Sequence, residues 1–275
     1  EAERVFRSVI VQLTFDGEVT VWCPSTDFFG SGVGMYAHLY SVAVGGGKVT
    51  PLTTGNRNYG QFDVSADGQR IAYLLNDSRT PEDLWVATLG QNNARQITTV
   101  NPQSKDFAIA ESEVIKWKGP DNFEIEGVLL KPLGYEAGKK YPLILQIHGG
   151  PYGADFDTWE ESWAYPTNLI CERGAFALKP NYHGSSNYGL KFAESIAGKY
   201  YELEVPDIEK GVDFLIAKGL VDANRLGTMG WSNGSILSIA LTTWGPTPRK
   251  YKVLGAGAGD VDWTSDWGNA HFGAS

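Results

Sequence analysis

The run Gly230-Trp231-Ser232-Asn233-Gly234 constrains this chain more than any other stretch. Before it, Leu226, Gly227, Thr228 and Met229 form a short, mostly apolar segment suited to a buried strand. After it, Ile236, Leu237, Ile239, Ala240 and Leu241 give an apolar helix face. A serine between glycines at minus two and plus two fits the G-x-S-x-G nucleophile elbow, in which a strained strand-to-helix turn lifts the hydroxyl clear of the sheet and flanking side chains would clash. In a chain with 33 Gly, the five-letter pattern arises by chance roughly 0.25 times, so the strand before and the helix after carry the argument. Ser232 is the candidate nucleophile; the competing reading is a structural glycine-rich turn.

Composition narrows the class. With 275 residues, 42% hydrophobic and 20% charged, the chain can bury a sizeable core and has room for two domains. No apolar run approaches the 18 or so residues of a membrane-spanning helix, and Glu1-Ala2-Glu3-Arg4 resembles neither a signal peptide nor a targeting helix. A net charge of -9 without a clustered Lys/Arg run disfavours nucleic acid and anionic membranes as partners. Cys23 and Cys171 lie far apart without metal-like spacing, so no disulfide framework, metal site or cofactor is expected, and both read as packing residues. Two thiols leave the compartment open between cytoplasm and periplasm.

The first hundred residues read as all β, with short alternating runs such as residues 18–22 between Gly, Asp and Asn turns. Leu39-Tyr40-Ser41-Val42 followed by Thr50-Pro51-Leu52-Thr53 recurs as Leu84-Trp85-Val86-Ala87 followed by Arg95-Gln96-Ile97-Thr98, an offset of 45. With the turn and strand at residues 65–73 between the copies, each period holds about four strands, the spacing of a β-propeller blade. A small β-sandwich is the alternative. Only about two blades fit, so the expectation is the last part of a ring whose beginning lies outside this sequence. The polar, Pro-containing segment 101–106 predicts a junction, giving residues 1–110 as C-terminal propeller blades and 111–275 as the N-terminal part of an α/β domain.

In that second part, residues 114–117 and 124–130 read as a β-hairpin. Residues 141–147 form a continuous apolar run of the kind buried on both faces, delivering His148-Gly149-Gly150-Pro151 at its C-terminal end, where open parallel sheets bind ligands. An aromatic segment (Phe156, Trp159, Trp163, Tyr165) precedes a strand at 175–180, which ends in Asn181-Tyr182-His183-Gly184-Ser185. Residues 207–219 carry Ile208, Val212, Leu215 and Ile216 on one face, with Gly219 as C-cap. The elbow and a strand at 251–259 complete a β-α-β-α-β alternation, hence a parallel sheet.

These ordered pieces, from the blade endings through Ile147-His148-Gly149-Gly150-Pro151, Asn181-Tyr182-His183-Gly184-Ser185 and Val221-Asp222-Ala223-Asn224-Arg225 to Gly230-Trp231-Ser232-Asn233-Gly234, resemble the prolyl oligopeptidase family of serine peptidases, in the branch similar to acylaminoacyl and dipeptidyl peptidases. The resemblance covers nearly the whole chain. It implies an α/β hydrolase, a doubly wound parallel sheet incomplete at its C-terminal end, behind a partial propeller. It also implies that Ser232 attacks the scissile carbonyl of a short peptide while N–H groups of Asn233 and of the loop holding Gly149 and Gly150 bind the oxyanion. His148 precedes the serine in chain order and is read as loop support, not as the base. Three positions depart from the family's usual pattern: Asn233, Ser235, and His183 where Arg is common.

In this fold the triad order is Ser, then Asp or Glu, then His, on loops after later strands. Asp260, Asp262 and Asp266 follow the last strand, and His271 comes five residues beyond Asp266, too close for the intervening strand-helix units; they read as loop polars. The chain is therefore expected to be a piece of a longer enzyme, inactive alone, with the triad Asp and His elsewhere in the chain or on a complementing chain; a homo-oligomer is left open. An acyl-peptide hydrolase or esterase is the alternative activity, and a non-catalytic interaction module the alternative class.

Overall fold

The computed structural model describes residues 19–22, 25–244, 249–262 and 264. Cys23, Asp266 and His271 lie outside them.

Two four-stranded antiparallel sheets come first. One contains β1 (Val19–Trp22), β2 (Thr26–Val33), β3 (Tyr36–Ala43) and β4 (Thr50–Pro51); the other contains β5 (Asn58–Val64), β6 (Arg70–Asp77), β7 (Thr80–Thr88) and β8 (Arg95–Gln96). The 45-residue repeat has a hydrogen-bond counterpart. The Thr53 hydroxyl accepts from Leu39 N–H at 2.9 Å, and Thr98 from Leu84 N–H at 2.9 Å. Leu52 N–H donates to Leu39 O at 2.8 Å, and Ile97 N–H to Leu84 O at 2.7 Å. The trailing Leu/Ile-Thr element thus closes each sheet by the same pair of bonds. Phe28, Leu39, Phe62, Val64, Ile71, Tyr73 and Leu75 form one shared core between the two sheets.

After a short 3-10 turn at Pro102–Asp106, the chain enters a six-stranded sheet of order β14-β13-β11-β12-β10-β9. Its strands are β9 (Ser112–Lys118), β10 (Glu124–Leu130), β11 (Tyr141–Ile147), β12 (Phe176–Asn181), β13 (Val221–Trp231) and β14 (Val253–Gly257). The sheet is mixed and not purely parallel. β11 to β14 run parallel, but β10 pairs antiparallel with β12, and β9 with β10. The 114–130 hairpin therefore extends the sheet, because alternate residues of β10 are buried on both sides: Ile125 and Leu129 face one core, Val128 and Leu130 the other.

On the first face pack α3 (Glu204–Ala217) and α4 (Asn233–Thr243), through Val205, Ile208, Val212, Leu215, Leu237 and Leu241. Helix α3 starts a turn earlier than its apolar periodicity indicates, with Glu204 and Asp207 in the first turn, where acidic groups complement the helix dipole. On the other face Cys171 of α1 (Thr167–Glu172) packs with Met35, Ala110, Val128 and Ala177, which joins the first antiparallel sheet to the six-stranded one. A short α2 (Leu190–Ala193) follows β12. Backbone bonds reinforce the join: Asp157 N–H to Met35 O at 3.0 Å, Trp159 N–H to Asp77 O at 2.8 Å and Gly34 N–H to Asn187 O at 3.3 Å.

Candidate active site

Ser232 occupies the turn between β13 and α4 with φ 54° and ψ -124°. A non-glycine residue at positive φ costs on the order of 1–3 kcal/mol and persists only where its surroundings impose it. Here the neighbours do so. A Cβ on Gly230 would lie 2.2 Å from the Gly234 carbonyl carbon, and a Cβ on Gly234 would lie 1.8 Å from the Ile147 carbonyl oxygen. Both flanking positions therefore exclude side chains, the requirement that the G-x-S-x-G spacing expresses. Ser232 N–H donates to Gly257 O at 2.9 Å, which ties the turn to β14. The residue is exposed at the C-terminal end of the sheet.

The loop following β11 lies against this turn. A Cβ on Gly149 would sit 3.3 Å from Ser232 Cβ and 3.1 Å from Trp231 O, so only glycine lets this backbone approach without crowding. Gly150, with φ 130°, points its missing Cβ elsewhere, to within 2.3 Å and 2.4 Å of the Gly153 and Tyr152 nitrogens. Of the two candidate loop glycines, Gly149 is the one whose α-carbon faces the serine. Asn233 is the first residue of α4, so its N–H has no acceptor within the helix and is available beside Ser232. The Asn233 side chain is buried and donates to the Tyr182 hydroxyl at 3.0 Å.

His148 is buried under this loop. Its Nδ1 lies 2.8 Å from Gly149 O and its Nε2 2.9 Å from Ser185 Oγ, with the ring stacked on Tyr182 at a centroid distance of 4.4 Å. Burial pushes its pKa down, which favours the neutral ring at neutral pH. Both nitrogens are thus occupied in holding the loop. His183, the Arg-to-His departure, is paired with Asp207 at 2.6 Å and Asp121 at 3.2 Å beneath Phe123 and Phe192. His38, in β3, has its Nδ1 3.4 Å from the Thr53 hydroxyl. None of these three histidines hydrogen-bonds Ser232.

Asp260 and Asp262 are exposed beyond β14, and Asp262 caps the Thr264 N–H at 3.1 Å. The third departure, Ser235, is buried in the first turn of α4, where a Cβ on Gly259 would meet its hydroxyl at 2.4 Å. Among the described residues, no group of three or more His, Cys, Asp or Glu is arranged to hold a metal ion. No helix among them is long and apolar enough to cross a membrane.

Motif reading alone misses the hydroxyls of Tyr165 and Tyr182. Tyr165 belongs to the aromatic segment, and Tyr182 sits inside the Asn-Tyr-His-Gly-Ser run. Each bonds to groups distant in sequence, so no local spacing announces it.

Residues 159–273 match the sequence profile of the prolyl oligopeptidase family. Dipeptidyl-peptidase 5 of Porphyromonas gingivalis is 28% identical over 232 residues, covering 82% of this chain and 33% of that protein. The acylamino-acid-releasing enzyme of Sus scrofa is 28% identical over 228 residues, covering 78% of this chain and 30% of that one. The chain thus spans about a third of the length of these relatives. Among solved structures, an acylaminoacyl peptidase in complex with Z-Gly-Gly-Phe-chloromethyl ketone superposes with a TM-score of 0.79 at 24% identity, covering 94% of this chain and 40% of the other. The Pyrococcus horikoshii acylaminoacyl peptidase gives 0.78 at the same identity and coverage. At that identity the likeness is one of fold. The match to the family profile thus includes the elbow, and relatives at 28% identity align along about four-fifths of the chain, so the chain is similar to members of the prolyl oligopeptidase family.

Proposed function

We propose that the protein hydrolyses short peptides through an acyl-enzyme on Ser232. The observation that carries this reading is the approach of Gly149 to Ser232 at the ends of adjacent parallel strands, which sets a loop backbone and a helix N-terminus on either side of one exposed hydroxyl. In the reaction, Ser232 Oγ attacks the scissile carbonyl carbon and gives up its proton to a base. The carbonyl oxygen becomes an oxyanion that accepts from the Asn233 N–H and from the N–H groups of the Gly149-Gly150 loop. Collapse expels the protonated amine, and water then releases the acyl group. Donors fixed in advance by β11 and α4 need no reorganisation as charge develops, and one such donor typically contributes about 3–4 kcal/mol.

In this account, residues 1–110 are blades of a propeller and 111–275 the first part of the catalytic domain. The triad acid and base come from residues outside those described, and the segment 1–275 alone is expected to be nearly inactive. The relatives include a dipeptidyl-peptidase and an acylamino-acid-releasing enzyme, so an acyl-peptide hydrolase is the second reading of the same site. The test is turnover of paired chromogenic substrates, one a free dipeptide derivative and one N-acylated, by the full-length protein and its Ser232→Ala variant. Loss of both activities in the variant supports the proposal. Retention of the parent rate by Ser232→Ala refutes it, and the ratio of the two parent rates separates the readings.

A further inference from the structure

Two tyrosine hydroxyls span the gap between the loop after β11 and the elbow, each with one bond to either side. Tyr165 Oη donates to Ile147 O at 2.9 Å and accepts from Trp231 N–H at 2.8 Å. Tyr182 Oη donates to His148 O at 2.8 Å and accepts from Asn233 Nδ2 at 3.0 Å. The four partners are consecutive or nearly so on each side: the carbonyls of residues 147 and 148 immediately precede Gly149, and residues 231 and 233 flank Ser232. We infer that Tyr165 and Tyr182 are positioning residues that set the distance between the oxyanion-binding loop and the nucleophile.

The need for such a device follows from the geometry. Positions 230, 234 and 149 carry no side chain, so beyond the last ladder pair of β11 and β13, Ile147 with Gly230, the loop and the elbow meet only through backbone and the Ser232 side chain. Van der Waals contact sets a minimum separation there but does not stop the loop from sliding along the elbow. A hydroxyl that accepts from one side and donates to the other fixes both separation and register, since it has one proton and each bond is directional. Both hydroxyls keep that proton at neutral pH: burial raises the Tyr165 pKa to about 12 and holds that of Tyr182 well above its ordinary value. Tyr182 is itself held, by its ring stacking on His148. Tyr165 reaches the site from the aromatic segment, where its own N–H bonds the Ser162 hydroxyl at 3.0 Å.

A misplaced oxyanion donor weakens binding of the developing charge far more than binding of the neutral substrate, so the loss should appear in kcat and not in KM. The inference rests on Ser232 being the nucleophile, and the test separates the two. Full-length protein is assayed as parent, Ser232→Ala, Tyr165→Phe and Tyr182→Phe, with kcat, KM and melting temperature recorded for each. The expected result is a fall in kcat of about 10-fold or more in each Phe variant, with KM within about twofold of the parent at an assay temperature well below melting. Tyr182 is fully buried, so should its variant fail to fold, Tyr165→Phe, at a less buried position, decides the matter. A parent-like kcat in Tyr165→Phe, or a rise in KM at constant kcat, overturns the positioning role even while Ser232→Ala is inactive. Activity surviving in Ser232→Ala overturns the underlying assignment instead.

Discussion

His183 Nδ1 and Asp207 Oδ2 lie 2.6 Å apart in the interior, and the same carboxylate oxygen also accepts the His183 backbone N–H at 2.9 Å. Asp121 approaches the other ring nitrogen at 3.2 Å. Burial pulls the imidazole pKa down, but the bond and charge of Asp207, with those of Asp121, outweigh it and leave it raised. Burial also raises Asp207, against the lowering effect of His183, and raises nearby Glu204. All three shifts have one sign: at these groups the folded chain holds protons more tightly than the unfolded one, so their contribution to stability falls as pH rises, whereas buried His148, whose pKa is pushed down, contributes with the opposite sign. The His183 contribution is complete below its unfolded value of about 6.5 and is lost as pH climbs through the raised folded value. The slope of melting temperature against pH between about pH 6 and 8 should therefore be more negative in the parent than in His183→Gln, which lacks this contribution. An identical slope in the variant would show that the pair is not the source.

Lys179 is buried in β12, with Nζ 2.6 Å from Glu160 and 3.4 Å from Asp155. The second carboxylate oxygen of Asp155 is buried without a hydrogen-bond partner. Removing the cation strands that carboxylate, and breaking a buried pair from one side costs about 3–5 kcal/mol. Lys179→Met should lower unfolding free energy by that order in chemical denaturation. A change below about 1 kcal/mol would mean that water solvates the site.

Gly234→Ala places a methyl group 1.8 Å from Ile147 O, a backbone atom in the central strand that cannot swing aside. The turn must shift, at a cost of about 1–3 kcal/mol or beyond, and the variant should lose both stability and activity. Gly149→Val behaves differently. Its branched side chain enters the space between Trp231 O and Ser232 Cβ, where local loop displacement relieves the crowding. Turnover should fall by about 10²–10³ with little change in melting temperature. Parent kcat in Gly149→Val would make the loop a mere turn.

The contrast between these glycines shows what the sequence could disclose. Periodicity and punctuation located β11, β12 and α3, because apolar runs bounded by Pro, Gly and polar loops leave few other places for a core. The G-x-S-x-G spacing was legible because backbone crowding forbids side chains at 230 and 234. The 45-residue repeat was legible because Thr53 and Thr98 perform one local task twice. Contacts set by packing were not. That β10 pairs with β12, and that Tyr165 reaches Trp231 across 66 residues, depends on how separate segments meet, for which local pattern holds no record. The role of His183 was half visible: the departure from Arg stood out, while its two carboxylate partners come from a turn and a helix distant in sequence.

The central claim, that Ser232 is an activated nucleophile, is tested most directly by covalent labelling. Full-length protein treated with a fluorophosphonate and mapped by peptide mass spectrometry should carry the label on Ser232, because an activated serine attacks phosphorus where ordinary surface serines do not. The label should vanish in Ser232→Ala. Label found at another residue, or undiminished in Ser232→Ala, would contradict the account.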